Sequence, residues 1–267
     1  PKETLNPLEL SCLGASLSPT SEGSLPWLHT KPMNPTTEPF PTILFEDVHC
    51  LGVVKPAGLL TQGRPREGIS LEGLLRQYLD PREPEQVYLA AIHRLDRPVS
   101  GVMIWAKTPK AARRLHGQFA SREVEKHYWA IVAGEPRPAE GIWDDWLSEE
   151  PTGLGPLVQV CRPETPRARH AISRYRVDRS GTLPEGCSRL LLWPRTGRTH
   201  QLRVQAASRG LPILGDLAYG SSYSFSEGIA LHARSLTFRH PTLRSEIRLV
   251  SPVPRHWREA RIVLPED

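Results

Sequence analysis

A chain of 267 residues, 39% hydrophobic and 24% charged, can bury a full core and suits one large domain or two small ones. No stretch approaches the apolar length needed to cross a bilayer, and Cys12, Cys50, Cys161 and Cys187 form no CxxC pair. These features argue against a membrane span, a zinc site and a disulfide scaffold, and for a reducing, cytoplasmic compartment.

The net charge of +5 is unevenly spread. Eight Lys/Arg face three acids between His93 and Lys126, and eleven Arg face three acids between Arg162 and Arg209, so the remainder is net acidic. Such blocks suit a polyanion-binding face, because clustered cations gain by releasing counterions from phosphates. A merely solvated basic surface is the plainer alternative.

Residues 1–40 are rich in Pro, Ser and Thr without periodicity and are expected to form a flexible tail, with Met33 a candidate native start. Residues 41–267 are expected to form the working domain, with no S4-like RNA-binding domain before it. In chain order, strands are expected at Ile43–Glu46, Leu51–Val54, Gly101–Ala106, His127–Val132, Ala171–Val177, Arg189–Trp193, Ala230–Leu236 and Glu246–Val250, from short runs of β-branched and aromatic residues. Ser70 ahead of Leu71, Leu74, Leu75 and Tyr78 predicts a capped amphipathic helix, and Pro109 opens another. A third is expected from Thr199 to Ser208, stopped by Gly210 and Pro212. Pro136–Pro166 and Ser221–Gly228 read as variable loops. Strands outnumber helices without βαβ alternation, so the fold class is α+β on a mixed or antiparallel central sheet, with basic loops and helices over one face.

Asp96 is the residue most in need of explanation. It stands between Arg94 and Arg97 and just ahead of the apolar run Val102-Met103-Ile104-Trp105-Ala106. A carboxylate desolvated alone there would cost roughly several kcal/mol, so it must be paired or used.

The segment HRLDRPVSG at 93–101 is similar to the HRLD-x-x-TSG signature of RluA-type RNA pseudouridine synthases. Four further segments resemble that family's motifs in the same order: VVKPAGLLTQG at 53–63, EKHYWAIVAG at 125–134, PRTGRTHQLRVQ at 194–205 with GLPILGDLAYG at 210–220, and ALHARSLTFRHP at 230–241. The resemblance implies a pseudouridine synthase fold with an RNA-binding cleft, and an isomerisation of uridine that needs no cofactor and no metal. Consistently, the chain lacks a P-loop and a dinucleotide fingerprint.

By this resemblance Asp96 is the nucleophile, acting by attack on C1′ or by assisting elimination to a glycal. Arg203 pairs with it and favours its charged form. Tyr128 stacks on the target uracil and is a candidate for removing the C5 proton. Arg94 fills the space left by a flipped base. Lys55, Pro56 and Leu231 complete the pocket, and Arg198 and His200 contact substrate. Read without the family, Arg203 and Arg94 would be phosphate contacts, Tyr128 a core aromatic, and His93 a local hydrogen-bonding group. Gly101, Gly197 and Gly215 are expected to serve tight turns.

Two positions depart from the family pattern. Val99 replaces the motif threonine, removing a hydroxyl that could tie the nucleophile loop, and Gln205 stands where many members carry histidine. The implied partner is structured rRNA or tRNA, without membrane association, acted on by a monomer. Two other readings are a catalytically idle RNA-binding protein on the same scaffold and a metal hydrolase using His93, Asp96 and His200. The last is poor, because His93 and Asp96 are three apart in an expected loop and no HExxH-type helix accompanies them.

Overall fold

The apolar run after Asp96 forms β4 (Ser100–Ala106), and all seven of its residues are buried. Coverage on both faces explains a continuous apolar run, where a half-exposed strand would alternate. The computed structural model describes residues 41–63, 69–152, 155–223 and 225–265. The expected tail over 1–40, including Met33, lies outside the described residues.

The other strands are β1 (Ile43–Glu46), β2 (Cys50–Lys55), β3 (Ala90–Ala91), β5 (Glu125–Ala133), β6 (Glu140–Thr152), β7 (Gly155–Cys161), β8 (Arg169–Asp178), β9 (Cys187–Pro194), β10 (Leu231–Arg239) and β11 (Glu246–Val250). They form an 11-stranded sheet in the order β1-β2-β4-β10-β5-β9-β8-β6-β7, with β3 on β4 and β11 on β10. Among the described strands β4–β10 pair in parallel and the other pairings are antiparallel, so the mixed sheet expected of an α+β fold is present. The main core spreads over β2, β4, β5, β9 and β10, the centre of that order.

Helices α1 (Leu71–Leu79) and α2 (Pro109–Ala120) start where their caps predict. Ser70 Oγ accepts from Gly73 N–H, Thr108 Oγ1 accepts from Ala111 N–H, and Pro109 takes the first turn of α2, where its missing N–H is harmless. The third expected helix is shorter, α3 (Gln201–Ala207), because His200 at its N-cap is in the left-handed region at φ 51°. A short α4 (Arg255–Glu259), not anticipated, packs the fully buried Trp257.

Two expectations are corrected. Pro136–Pro166 is largely the antiparallel hairpin β6–β7 and not a loop. Trp143 and Leu147 face inward in strand alternation, but Ile142, 64% exposed, and the half-buried Trp146 occupy the other face. Apolar residues on both faces hid the period of two. Gly101 makes no tight turn either. It lies inside β4 opposite Ala233 of β10 at φ 125°, where an added Cβ would come 2.3 Å from the Ala233 carbonyl oxygen. The parallel pairing at the centre of the sheet therefore requires glycine.

Gly101→Ala should destabilise the protein by about 2 kcal/mol or more, from backbone strain plus steric overlap. A drop in the thermal unfolding midpoint with weakened turnover is the expected result.

Candidate active site

The sheet order brings three dispersed motifs together. Asp96 lies in the loop entering β4, Tyr128 lies in β5 opposite Ala233 of β10 and Leu192 of β9, and Arg203 lies on α3, which follows β9. All three line one cavity of about 850 Å³.

The loop holding Asp96 has little freedom. The carbonyls of Leu95, Asp96, Arg97 and Pro98 accept from Thr61 Oγ1 (2.8 Å), Val99 N–H (3.0 Å), Gly58 N–H (2.8 Å) and Ile229 N–H (3.1 Å), respectively. Buried backbone groups paired in succession fix a loop as a regular element would. Lys55 Nζ adds a second donor to Arg97 O at 3.1 Å, while also donating to Leu59 O at 2.7 Å and Pro56 O at 2.9 Å. Burial pushes this ammonium down to about 7, and the charge of Asp96 pulls the other way. Val99 is 2% exposed and packs in the core, and the side chains that tie the loop's carbonyls are those of Thr61 and Lys55. Lys55 and Pro56, expected to complete the pocket, are absent from the residues lining the cavity, and Lys55 braces the Asp96 loop from behind.

Arg203 is 5% exposed and serves two carboxylates. Its Nε and Nη2 form a fork on Asp216 at 2.7 and 2.8 Å, and Nη1 reaches Asp96 Oδ2 at 3.2 Å. Burial opposes its charge, but Asp216 and then Asp96 outweigh that and raise it above its already high range. Asp216, 1% exposed, went unrecognised in sequence, although it follows the apolar run Leu211-Pro212-Ile213-Leu214 as Asp96 precedes another. The argument applied to Asp96 would have found it.

A seven-residue helix cannot hold Arg203 in place by itself. Two buried glutamines secure it. Gln201 accepts from Thr196 Oγ1 (2.7 Å) and Arg198 N–H (3.0 Å) and donates to Ser173 Oγ (2.9 Å) and Ile172 O (3.1 Å). Gln205, in place of the family histidine, accepts from Ser173 Oγ at 2.7 Å and donates to Asp145 Oδ2 at 2.8 Å.

Tyr128 is half-buried on the cavity wall, and burial first, then the Asp96 charge, pushes its phenol up, so it stays protonated at neutral pH. Leu231 is 3% exposed and also lines the cavity. Around the mouth stand Arg94, Arg97, Arg122, Lys126, Arg195 and Arg198, and Asp96 is the one acid among the described lining residues. Arg94 is exposed, whereas Arg198 Nε donates to His170 O at 2.9 Å. Lys126 donates to Thr196 O at 3.1 Å, and burial, then Arg122, brings it down to about 8. His200 Nε2 lies 3.8 Å from Asp96 Oδ2.

The three residues of the metal-hydrolase reading do not share a centre. His93 Nε2 accepts from Ile104 N–H at 3.2 Å, its ring stacks on Phe119, and burial, then Lys126, lowers it to about 3. Its role is local hydrogen bonding, as the sequence suggested.

Residues 49–208 match the family model described as RNA pseudouridylate synthase. The chain is 34% identical over 232 residues to the dual-specificity RNA pseudouridine synthase RluA of Escherichia coli strain K12, covering 82% of this chain and 96% of that protein. It is 37% identical over 226 residues to the Salmonella typhi protein of that name, with the same coverage. The chain belongs to the RNA pseudouridylate synthase family. Among solved structures, human RNA pseudouridylate synthase domain containing 4 superposes with a TM-score of 0.64 at 26% identity, over 84% of this chain and 94% of that one. Family membership makes the protein an isomerase acting on RNA. Among the described residues no helix is long and apolar enough to cross a membrane, and Cys50, Cys161 and Cys187 are free.

Lys55→Met should strip three carbonyls of a shared donor, lowering stability by about 3 kcal/mol and reducing turnover as the loop loosens. Thermal denaturation with parallel activity measurements checks both effects.

Proposed function

We propose that this family member converts a specific uridine in a structured rRNA or tRNA to pseudouridine, with Asp96 as the nucleophile. The observation that carries the reading is the carboxylate of Asp96, 28% exposed in a basic-rimmed cavity, with Arg203 at 3.2 Å and Tyr128 on the same wall. The N1–C1′ bond breaks, the base turns, C5 bonds to C1′, and the C5 proton is lost while N1 gains one. Nothing is oxidised or reduced, so neither cofactor nor metal is called for. A carboxylate serves because it is nucleophilic in its ionised form, and the Arg203 contact orients it.

The cavity volume accommodates a nucleoside but no helical stem, so the target base must leave its stack at a cost of a few kcal/mol, roughly. Arg94 is exposed at the mouth, two residues from Asp96, where its guanidinium can replace the departed base in the stack. Leu231 packs on the uracil, and Arg198 and His200 contact the nucleotide. Tyr128 stacks on the ring. Once C5 has bonded to C1′, Asp96 has left C1′ as a carboxylate again and the C5 proton is acidified by the adjacent carbonyl; Tyr128 is the candidate to take it as the ring regains its conjugation. The idle-scaffold alternative draws no support from a site in which Asp96, Tyr128 and Arg203 are assembled.

Mapping pseudouridines in total RNA from a deletion strain carrying wild-type or Asp96→Asn protein tests the function. A site present with wild type and missing with the variant is expected; no difference between the two would contradict the reading. Tyr128→Phe is expected to retain uracil binding while losing release of the C5 proton. Undiminished activity would exclude the base role.

A further inference from the structure

We propose that Tyr219 is a positioning residue for the nucleophile, fixing the tautomer of His200 so that its Nε2–H faces Asp96. This rests on the role proposed for Asp96.

Tyr219 ends a 3-10 turn, Leu217–Tyr219, that follows Asp216. Its hydroxyl oxygen accepts from Val158 N–H of β7 at 3.2 Å and lies 2.9 Å from His200 Nδ1. With Val158 N–H already donating to this partly buried phenol, the arrangement favours the hydroxyl spending its own proton on the nearby His200 Nδ1. In that arrangement Nδ1 is bare, and a neutral imidazole carries its proton on Nε2, the nitrogen 3.8 Å from Asp96 Oδ2.

Three further observations agree. His200 adopts φ 51° at the start of α3, an uncommon conformation for a bulky residue, which the Tyr219 hydrogen bond helps to hold. The Tyr219 ring stands edge-on to His200 at 88°, and the Arg203 guanidinium lies 4.9 Å from its centroid, so one phenol orients both groups that face Asp96. Burial, then Arg203, lowers His200, against the pull of Asp96, Asp216 and Glu149, so it is neutral at neutral pH and has a tautomer to choose.

At 3.8 Å the Nε2–H is not a full hydrogen bond in the resting protein. A small shift of the carboxylate closes that distance, giving Asp96 a second N–H donor beside Arg203 without adding charge. The opposite tautomer would aim a lone pair at the carboxylate and repel it.

The test uses full-length protein labelled with 15N in histidine and, as substrate, total RNA from a deletion strain labelled with tritium at uridine C5, whose release reports turnover. In the wild type the His200 resonances should place the proton on Nε2; a proton on Nδ1 overturns the proposal whatever the activity. Tyr219→Phe should mix the tautomers and lower kcat on the order of tenfold at unchanged KM, the size of one lost hydrogen bond to a charged group. In a His200→Ala background Tyr219→Phe should then add no further loss in kcat. Additive losses, or a Tyr219→Phe effect confined to KM or melting temperature, would show that Tyr219 does not act through His200. Absence of tritium release by the wild type would instead defeat the functional reading and leave the tautomer measurement standing.

Discussion

The site depends on one buried guanidinium divided between two carboxylates. Burying Arg203 unpaired would be prohibitive, and Asp216 answers that cost with both its oxygens at 2.7 and 2.8 Å. That pair is formally neutral and almost wholly enclosed. Asp96 receives only the remaining edge of the fork, at the longer distance of 3.2 Å. The asymmetry has chemical meaning: a carboxylate held by an ideal bidentate bridge is a structural partner, whereas one held by a single N–H keeps an oxygen free to react. Asp216 takes the strong geometry, and Asp96 is left oriented with one oxygen unpaired by the fork.

Holding that geometry requires elements that cannot hold it individually. α3 is too short to be stable alone, so Gln201 and Gln205 lock it to Ser173 of β8, and Val204 packs with Leu147, Val158 and Ala171 from the β6–β7 hairpin and β8. On the opposite side the loop holding Asp96 is pinned from β2, from Thr61 and from Ile229. Between them runs the parallel contact of β4 with β10, where Gly101 lets the backbones meet. Loop, strand and helix are thus each fixed to the same sheet, and the 3.2 Å contact between Arg203 and Asp96 is the sum of those attachments.

Much of this was legible in the sequence, for identifiable reasons. β4, the α1 and α2 caps and the Asp96 loop were readable because each has a local cause: an apolar run, a capping side chain, a carboxylate that demands a partner. Arg203 opposite Asp96 was readable only through resemblance, since 107 residues separate them and one arginine among eleven carries no mark of its partner. Lys55 was placed in the pocket only by resemblance, and only tertiary structure reveals the three carbonyls that its ammonium donates to. The β6–β7 hairpin escaped because Ile142 and Trp146 place apolar surface on its open face, which erases the alternation that periodicity depends on.

Charge separates affinity from chemistry within a single cavity. The cations at the mouth attract RNA through its phosphates, with little regard to sequence and with a reach of about 10 Å at moderate salt. A lone acid among them would repel that same backbone if it stood at the rim. Asp96 is only 28% exposed and paired with Arg203, whereas Arg94 and Arg198 are exposed, an arrangement suited to phosphates at the arginines and an uncharged base and sugar at the carboxylate. Binding strength can then change at the mouth without disturbing the floor. Selection of one uridine among many falls to two other properties: how cheaply that nucleotide leaves its stack, and how well the surrounding RNA shape matches the loops and hairpin around the cleft.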